Sequence, residues 1–104
     1  MLNAKKALTD LMENAPVYKD YRSPAFTTTT GAVGSYMMLL DINIALNGYV
    51  PVSATITAWA HVSYLPFVTI QNNNTIRVIL VRNGSGAATY PAGDFTVRVG
   101  YLKA

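Results

Sequence analysis

Five acidic residues, Asp10, Glu13, Asp20, Asp41 and Asp94, share this 104-residue chain with one histidine, His61, and no cysteine. Hydrolysis of a sugar bond needs two carboxylates facing each other across it. Asp41 and Asp94 are the only acidic pair in the main β-patterned region, and Asp94 closes the run Pro91-Ala92-Gly93-Asp94, which reads first as a turn. A single histidine makes neither a two-histidine metal site nor a histidine relay within one chain. Without cysteine there is no thiolate ligand and no disulfide. The serines, at 23, 35, 53, 63 and 85, include none in a nucleophile elbow. Gly31-Ala32-Val33-Gly34 is too short for a phosphate loop, and Asn83-Gly84-Ser85-Gly86 lacks the lysine and the following helix of one. The expectation is a non-enzyme with no catalytic, cofactor or metal residues.

Recognition chemistry is better represented. Seven tyrosines, three phenylalanines and one tryptophan make up 11% of the chain. Flat aromatic faces next to amides and carboxylates suit sugar or protein recognition. The candidate ligand-binding residues are Trp59, His61, Tyr64, Asn73, Tyr90 and Asp94, drawn from three segments around 59–64, 72–74 and 83–94. In that reading Tyr90 stacks on a sugar ring while Asn73 and Asp94 bind its hydroxyls, so Tyr90→Ala removes binding and leaves the melting temperature alone. The competing reading puts Trp59 and Tyr36 in a core or subunit interface.

The elements that must carry these residues follow from pattern. Half of the residues are apolar and only 12% are charged, a globular composition able to fold on one core. The apolar stretches fall short of the ~20 residues of a spanning helix, so no membrane insertion is expected. The residues after Lys5 and Lys6 are not a signal-peptide core. The net charge of +3 is spread from Lys5 to Lys103. No cluster of cations converges as phosphate binding requires, so no nucleic-acid partner is expected.

Residues 3–15 read as a helix: Asn3 caps it, Ala4, Leu8, Leu11 and Ala15 form one stripe, and Pro16 stops it. Lys5 and Lys6 at its start and Asp10 and Glu13 towards its end oppose the helix dipole. So short a helix is marginal alone. Its stripe needs cover, either from the β-domain or from identical helices in an oligomer.

Beyond Pro16 the periodicity is two. Residues 36–46 place Tyr36, Met38, Leu40, Ile42, Ile44 and Leu46 on one face, expected to be core, and Asp41 and Asn43 on the other. Residues 52–62 place Val52, Ala54, Ile56, Ala58, Ala60 and Val62 opposite Ser53, Thr55, Thr57, Trp59 and His61. Segments 67–71 and 75–82 flank Asn72-Asn73-Asn74, a run suited to positive φ in a hairpin. Phe95, Val97, Val99 and Tyr101 share one face of the closing strand, opposite Thr96 and Arg98. Shorter strands are expected at Val17–Arg22 and 27–30, and a turn at Asn47-Gly48. The fold class is therefore all-β, an antiparallel β-sandwich or jelly-roll-like domain at 17–104 behind a short N-terminal α-helix at 1–16.

Three stretches resemble the C-terminal tip modules of tail-fibre, receptor-binding proteins of bacteriophages and prophages. They are the opening Asn3-Ala4-Lys5-Lys6-Ala7-Leu8-Thr9-Asp10-Leu11, the step Leu46-Asn47-Gly48-Tyr49-Val50-Pro51 into the strand with Trp59, and the closing pair ending in Tyr101-Leu102-Lys103. The resemblance implies a homotrimeric β-sandwich tip on a virion fibre, with other virion proteins as partners, that touches the host cell surface, often its carbohydrate. It supplies no ligand-residue motif. Met1 stands directly before the helix, where the family carries a long shaft, so the chain is either a separate small virion protein or a fragment. The alternative within the same class is a decoration, head-fibre or adaptor protein without receptor binding. If the helix clamps the oligomer, deleting residues 1–15 will weaken assembly more than it changes the far-ultraviolet β signal. Identical sedimentation of the truncated and full chains would exclude the clamp.

Overall fold

The computed structural model describes residues 15–28, 36–82 and 88–104. The predicted helix, with Ala4, Leu8 and Leu11, lies outside the described residues except for Ala15, which is exposed ahead of Pro16. Everything described is strand, turn or irregular backbone, so the architecture is all-β, and every strand pair is antiparallel.

Eight strands follow in chain order: β1 Val17–Arg22, β2 Phe26–Thr27, β3 Tyr36–Asn43, β4 Tyr49–Trp59, β5 Tyr64–Asn72, β6 Thr75–Arg82, β7 Thr89–Tyr90 and β8 Phe95–Lys103. They form a sheet ordered β1-β8-β4, a second ordered β3-β6-β5, and a two-stranded β2-β7 ribbon. The central strands alternate as a half-buried strand should. Phe95, Val97, Val99 and Tyr101 of β8 and Ile76, Val78 and Leu80 of β6 are all fully buried in one apolar cluster. Complete burial of a Val, Leu or Ile contributes roughly 1.5–3 kcal/mol, so these two strands carry much of the core.

The core face read for residues 36–46 holds, with a gradient: Met38, Leu40 and Ile42 are half-buried against the cluster and Ile44 is fully buried. The strand stops at Asn43, earlier than its alternation, because Asn43 Oδ1 accepts the amide of Ala45 at 2.9 Å and turns the chain. Ile44 stays tied to the second sheet by donating its amide to Asn74 O at 2.8 Å. Tyr101 OH donates to Ile44 O at 2.7 Å and lies 2.5 Å from Tyr21 OH, joining both sheets through a buried polar bridge.

The strict alternation expected over 52–62 is corrected. The register of β4 on β8 shifts between Pro51 and Ser53 and again between Ile56 and Ala58. Each shift is a bulge that flips the following residues to the opposite face. Val52 is therefore 52% exposed, while Pro51, Ala54 and Ile56 turn inward. Trp59 pairs with Phe95, on the side of Ile56 and not with Thr55.

The turns divide likewise. Leu46–Tyr49 closes with Tyr49 N to Leu46 O at 3.0 Å and Gly48 at φ 82°, the positive φ expected at Asn47-Gly48. Positive φ does not occur at Asn72, Asn73 or Asn74. Instead Asn72 Oδ1 accepts the amide of Asn74 at 2.8 Å, a side-chain turn that leaves the backbone unstrained. β5 also starts at Tyr64, earlier than the expected 67.

All four edges of the larger sheets carry a device against strand addition. β4 has Pro51 and its two bulges, β5 has Pro66, and β3 has a register shift between Tyr36 and Met38. On β1, Lys19 pairs with buried Val99, placing a charge in an inward-facing row.

The burial pattern yields a direct comparison. Ile44→Ala should destabilise by about 2–5 kcal/mol in chemical denaturation. Val52→Thr, apolar but turned outward by its bulge, should stay within about 0.5 kcal/mol. Equal losses would show that the bulge register is wrong.

Candidate functional site

The turn that carries Asp94 is built by three local constraints. Ser23, 2% exposed, accepts the amide of Gly93 on its carbonyl at 2.8 Å and that of Phe95 on its hydroxyl at 3.2 Å. Gly93 has φ 82°, and a Cβ there would run into the guanidinium of Arg22. Asp94 O accepts the amide of Ala60 at 2.9 Å, pinning this turn to the one between β4 and β5.

Between these two turns the side chains converge. The carboxylate of Asp94, 2% exposed, accepts His61 Nδ1–H on Oδ1 at 2.7 Å and the hydroxyl of Tyr64 on Oδ2. A buried carboxylate without such donors would be strongly disfavoured. Ser63 Oγ and Tyr90 OH are hydrogen-bonded to each other. Tyr90 stacks on Phe26 at 5.0 Å between ring centroids and meets the His61 ring edge-on at 4.9 Å. Tyr64 packs edge-on against both Phe26 and Tyr90. The whole is an aromatic base with an imidazole at its rim.

The predicted site residues therefore separate into three groups. His61, Tyr64, Tyr90 and Asp94 are brought together, with Trp59 at the end of β4 nearby in the chain. Of these, Tyr64, Tyr90 and Asp94 are buried, at 0%, 4% and 5% exposure. The expected stacking of Tyr90 on a sugar is thus corrected: its ring already stacks on Phe26, and its truncation would open a core cavity costing about 3–5 kcal/mol. Asp94 likewise spends its acceptors on His61 and Tyr64 rather than on hydroxyls from solvent. Asn73 lies at the opposite end, in the β5–β6 turn beside Leu46, Asn47, Tyr49 and Asn74, around an open depression of ≈ 560 Å³. It cannot join Asp94 and Tyr90 on one ligand.

What remains accessible at the clustered end is His61, with 49% of its side chain exposed, together with Trp59 at 46% and Val62 at 79%. Asp94 fixes the imidazole by its Nδ1, as the orienting half of an acid–base relay does. The hydroxyl nearest in sequence, Ser63, is directed to Tyr90. Among the described residues no three His, Cys, Asp or Glu side chains gather as metal ligands do. The arrangement can hold an exposed, oriented ring on a rigid base, which is what a contact surface needs.

Sequence reasoning passed over Phe26, Ser23 and Ser63. A serine two residues after His61 and an aromatic four before the predicted threonine run's end carry no periodic signal. Phe26 and Ser63 both meet Tyr90 of the β2-β7 ribbon, and Ser23 holds Gly93 and Phe95, contacts between segments far apart in the chain. No family model, curated protein or solved structure matches this chain.

Tyr64 in this cluster and Tyr101 at the opposite end of the core are buried phenols that can be tested by pH. Burial, then the hydrogen bond to Asp94 and its charge, pushes Tyr64 far above the ordinary tyrosine range. Burial, then the hydrogen bond with Tyr21, does the same to Tyr101. Since the folded value lies above the unfolded one, their contribution is fully present below pH ~10 and is lost as pH rises through the folded value. In an ultraviolet titration these two phenolates should appear only as the β signal disappears. Reversible ionisation of all seven tyrosines with the fold intact would contradict the burial.

Proposed function

We propose that the chain is a non-catalytic structural protein of a bacteriophage virion. In this reading it is a homotrimeric fibre tip, its two larger sheets stacked as a β-sandwich, that adsorbs to a host cell-surface polymer. One observation carries the reading: the fold is polar along its strands. Val17, where the chain enters β1, pairs with Tyr101, at the end that holds Gly48 bonded to Ala104 and the Asn73 turn. Trp59, His61 and Val62 lie at the other end, where β4 finishes beside Phe95. A shaft or clamp attached ahead of Val17 thus leaves the rigid, aromatic-backed surface pointing away from it. Weak individual contacts on three such copies would combine into avid adsorption.

A second reading, a decoration, head-fibre or adaptor protein, draws on the large apolar residues exposed on strand faces, Leu39, Leu65 and Phe67. Binding to a glycan array or to isolated host surface polymer separates the two. Trp59→Ala and His61→Ala should each reduce adsorption at least tenfold with assembly intact, whereas Asn73→Ala at the far end should leave it unchanged. Adsorption that survives both substitutions removes this end from the site, and no adsorption by the intact protein favours the decoration or adaptor role.

A further inference from the structure

Arg22, Arg77 and Arg98 point outward from their strands, but only two of them are answered by a carboxylate. Arg98 lays Nε and Nη2 on the two oxygens of Asp20 at 2.9 and 3.2 Å, and Arg77 does the same on Asp41 at 2.8 and 3.1 Å. Arg22 is exposed at the end of β1, opposite Thr96. Among the described residues it makes no ion pair and donates to no acceptor. Two carboxylates stand close in the chain and neither takes its guanidinium. Asp20, two residues back on the same strand face, gives both oxygens to Arg98. Asp94 follows Gly93 directly, yet its carboxylate, 2% exposed, is turned inward to His61 and Tyr64.

The unpaired guanidinium is also held in place. It packs directly on the bare Cα of Gly93, where a Cβ would overlap its Nη2, Nε and Cζ. Ser23 bonds to Gly93 and Phe95 on one side of this stretch, and Ala60 bonds to Asp94 on the other. Arg22 and His61 therefore flank it at two strand spacings, about 10 Å between their backbones. β1 runs from Val17, opposite Tyr101, to Arg22, opposite Thr96, so the guanidinium belongs to the same end as Trp59 and His61. We propose that Arg22 is the anion-binding arm of this end, and that the polymer adsorbed there is acidic. Its carboxylate or phosphate groups meet the guanidinium while its uncharged stretches cross His61 and Trp59. The inference rests on the adsorbing-tip reading above and names the chemical class of its ligand. A planar guanidinium fits a carboxylate or phosphate through two parallel hydrogen bonds, the geometry that Arg77 and Arg98 already adopt with their aspartates. The span between the two arms suits a polymer better than a single sugar ring.

Two measurements on the full chain test this. In an NMR titration, sodium galacturonate or glycerol phosphate should shift the Arg22 Nε–H signal saturably, methyl galactoside should not, and the paired Arg77 and Arg98 signals should hardly move. On isolated surface polymers that carry carboxylates, phosphates or neither, the chain should adsorb to an acidic one, and less so at high salt. Arg22→Gln should lower that adsorption about tenfold or more with sedimentation unchanged, and Arg22→Lys should restore it only in part. Lys103→Gln removes the same charge at the opposite end, beside Tyr49, and should leave adsorption nearly unchanged. Equal shifts at all three arginines, or an equal loss from Lys103→Gln, would reveal only the general attraction of a basic protein and overturn the proposal. Adsorption to a neutral polymer that survives Arg22→Gln but not Trp59→Ala overturns the acidic ligand and leaves the adsorbing tip standing. Saturable anion binding at Arg22 in a chain that adsorbs to none of the polymers upholds the anion site and overturns the tip.

Discussion

Ile76, Val78 and Leu80 of β6 and Phe95, Val97, Val99 and Tyr101 of β8 are buried in one apolar cluster, and that shared core is the constraint on which the rest depends. Three strands with one apolar face need a partner layer to be stable in water. Here each central strand supplies the inward side chains, and no covalent link or thiolate metal site can assist in a chain without cysteine. The polar groups that this burial traps are then paired inside the core: Tyr101 with the Ile44 carbonyl, and Tyr64 with Asp94. Both bonds span the two sheets or the turns that leave them. The same requirement that closes the core also fixes the ends of the molecule.

This dependence explains what could be read from sequence. β6 and β8 keep an uninterrupted period of two, so Phe95, Val97, Val99 and Tyr101 were legible as one inner face. In β4 the same rule misplaces Val52 and Trp59, because each bulge adds a residue and nothing in Pro51-Val52-Ser53 or Ile56-Thr57-Ala58 signals it locally. Exposure at the predicted site was hidden for a related reason. His61, Tyr64, Tyr90 and Asp94 were gathered correctly as neighbours in chemistry, yet whether a tyrosine faces solvent or core depends on the β2-β7 ribbon, formed between residues more than sixty positions apart. Asn73 was legible as a turn residue, but its end of the molecule follows only from strand order.

The exposed rim at His61 rests directly on the buried aromatic base beneath it. Residues that hold the rim lie deep in the aromatic cluster, so its geometry is tied to core stability. Variation at Trp59 or Val62 leaves the hydrogen bonds of Asp94 in place, whereas variation at His61 or Tyr64 removes a donor from that buried carboxylate and variation at Tyr90 opens the aromatic base. A surface of this kind can change specificity at its tips while keeping a constant support.

The placement of β8 at the centre of its sheet also governs how the chain acquires its fold. Val17 pairs with Tyr101, and Tyr49 pairs with Lys103, so neither edge of that sheet has a partner until β8 is available. Closing such distant pairs costs loop entropy before any burial offsets it, which makes folding slow and late. A nascent or prematurely ended chain can form the local β5–β6 hairpin but has no lid for it. Emergence of Phe95–Lys103 is therefore the step that closes this sheet, because β1 and β4 have no other strand to pair with in it.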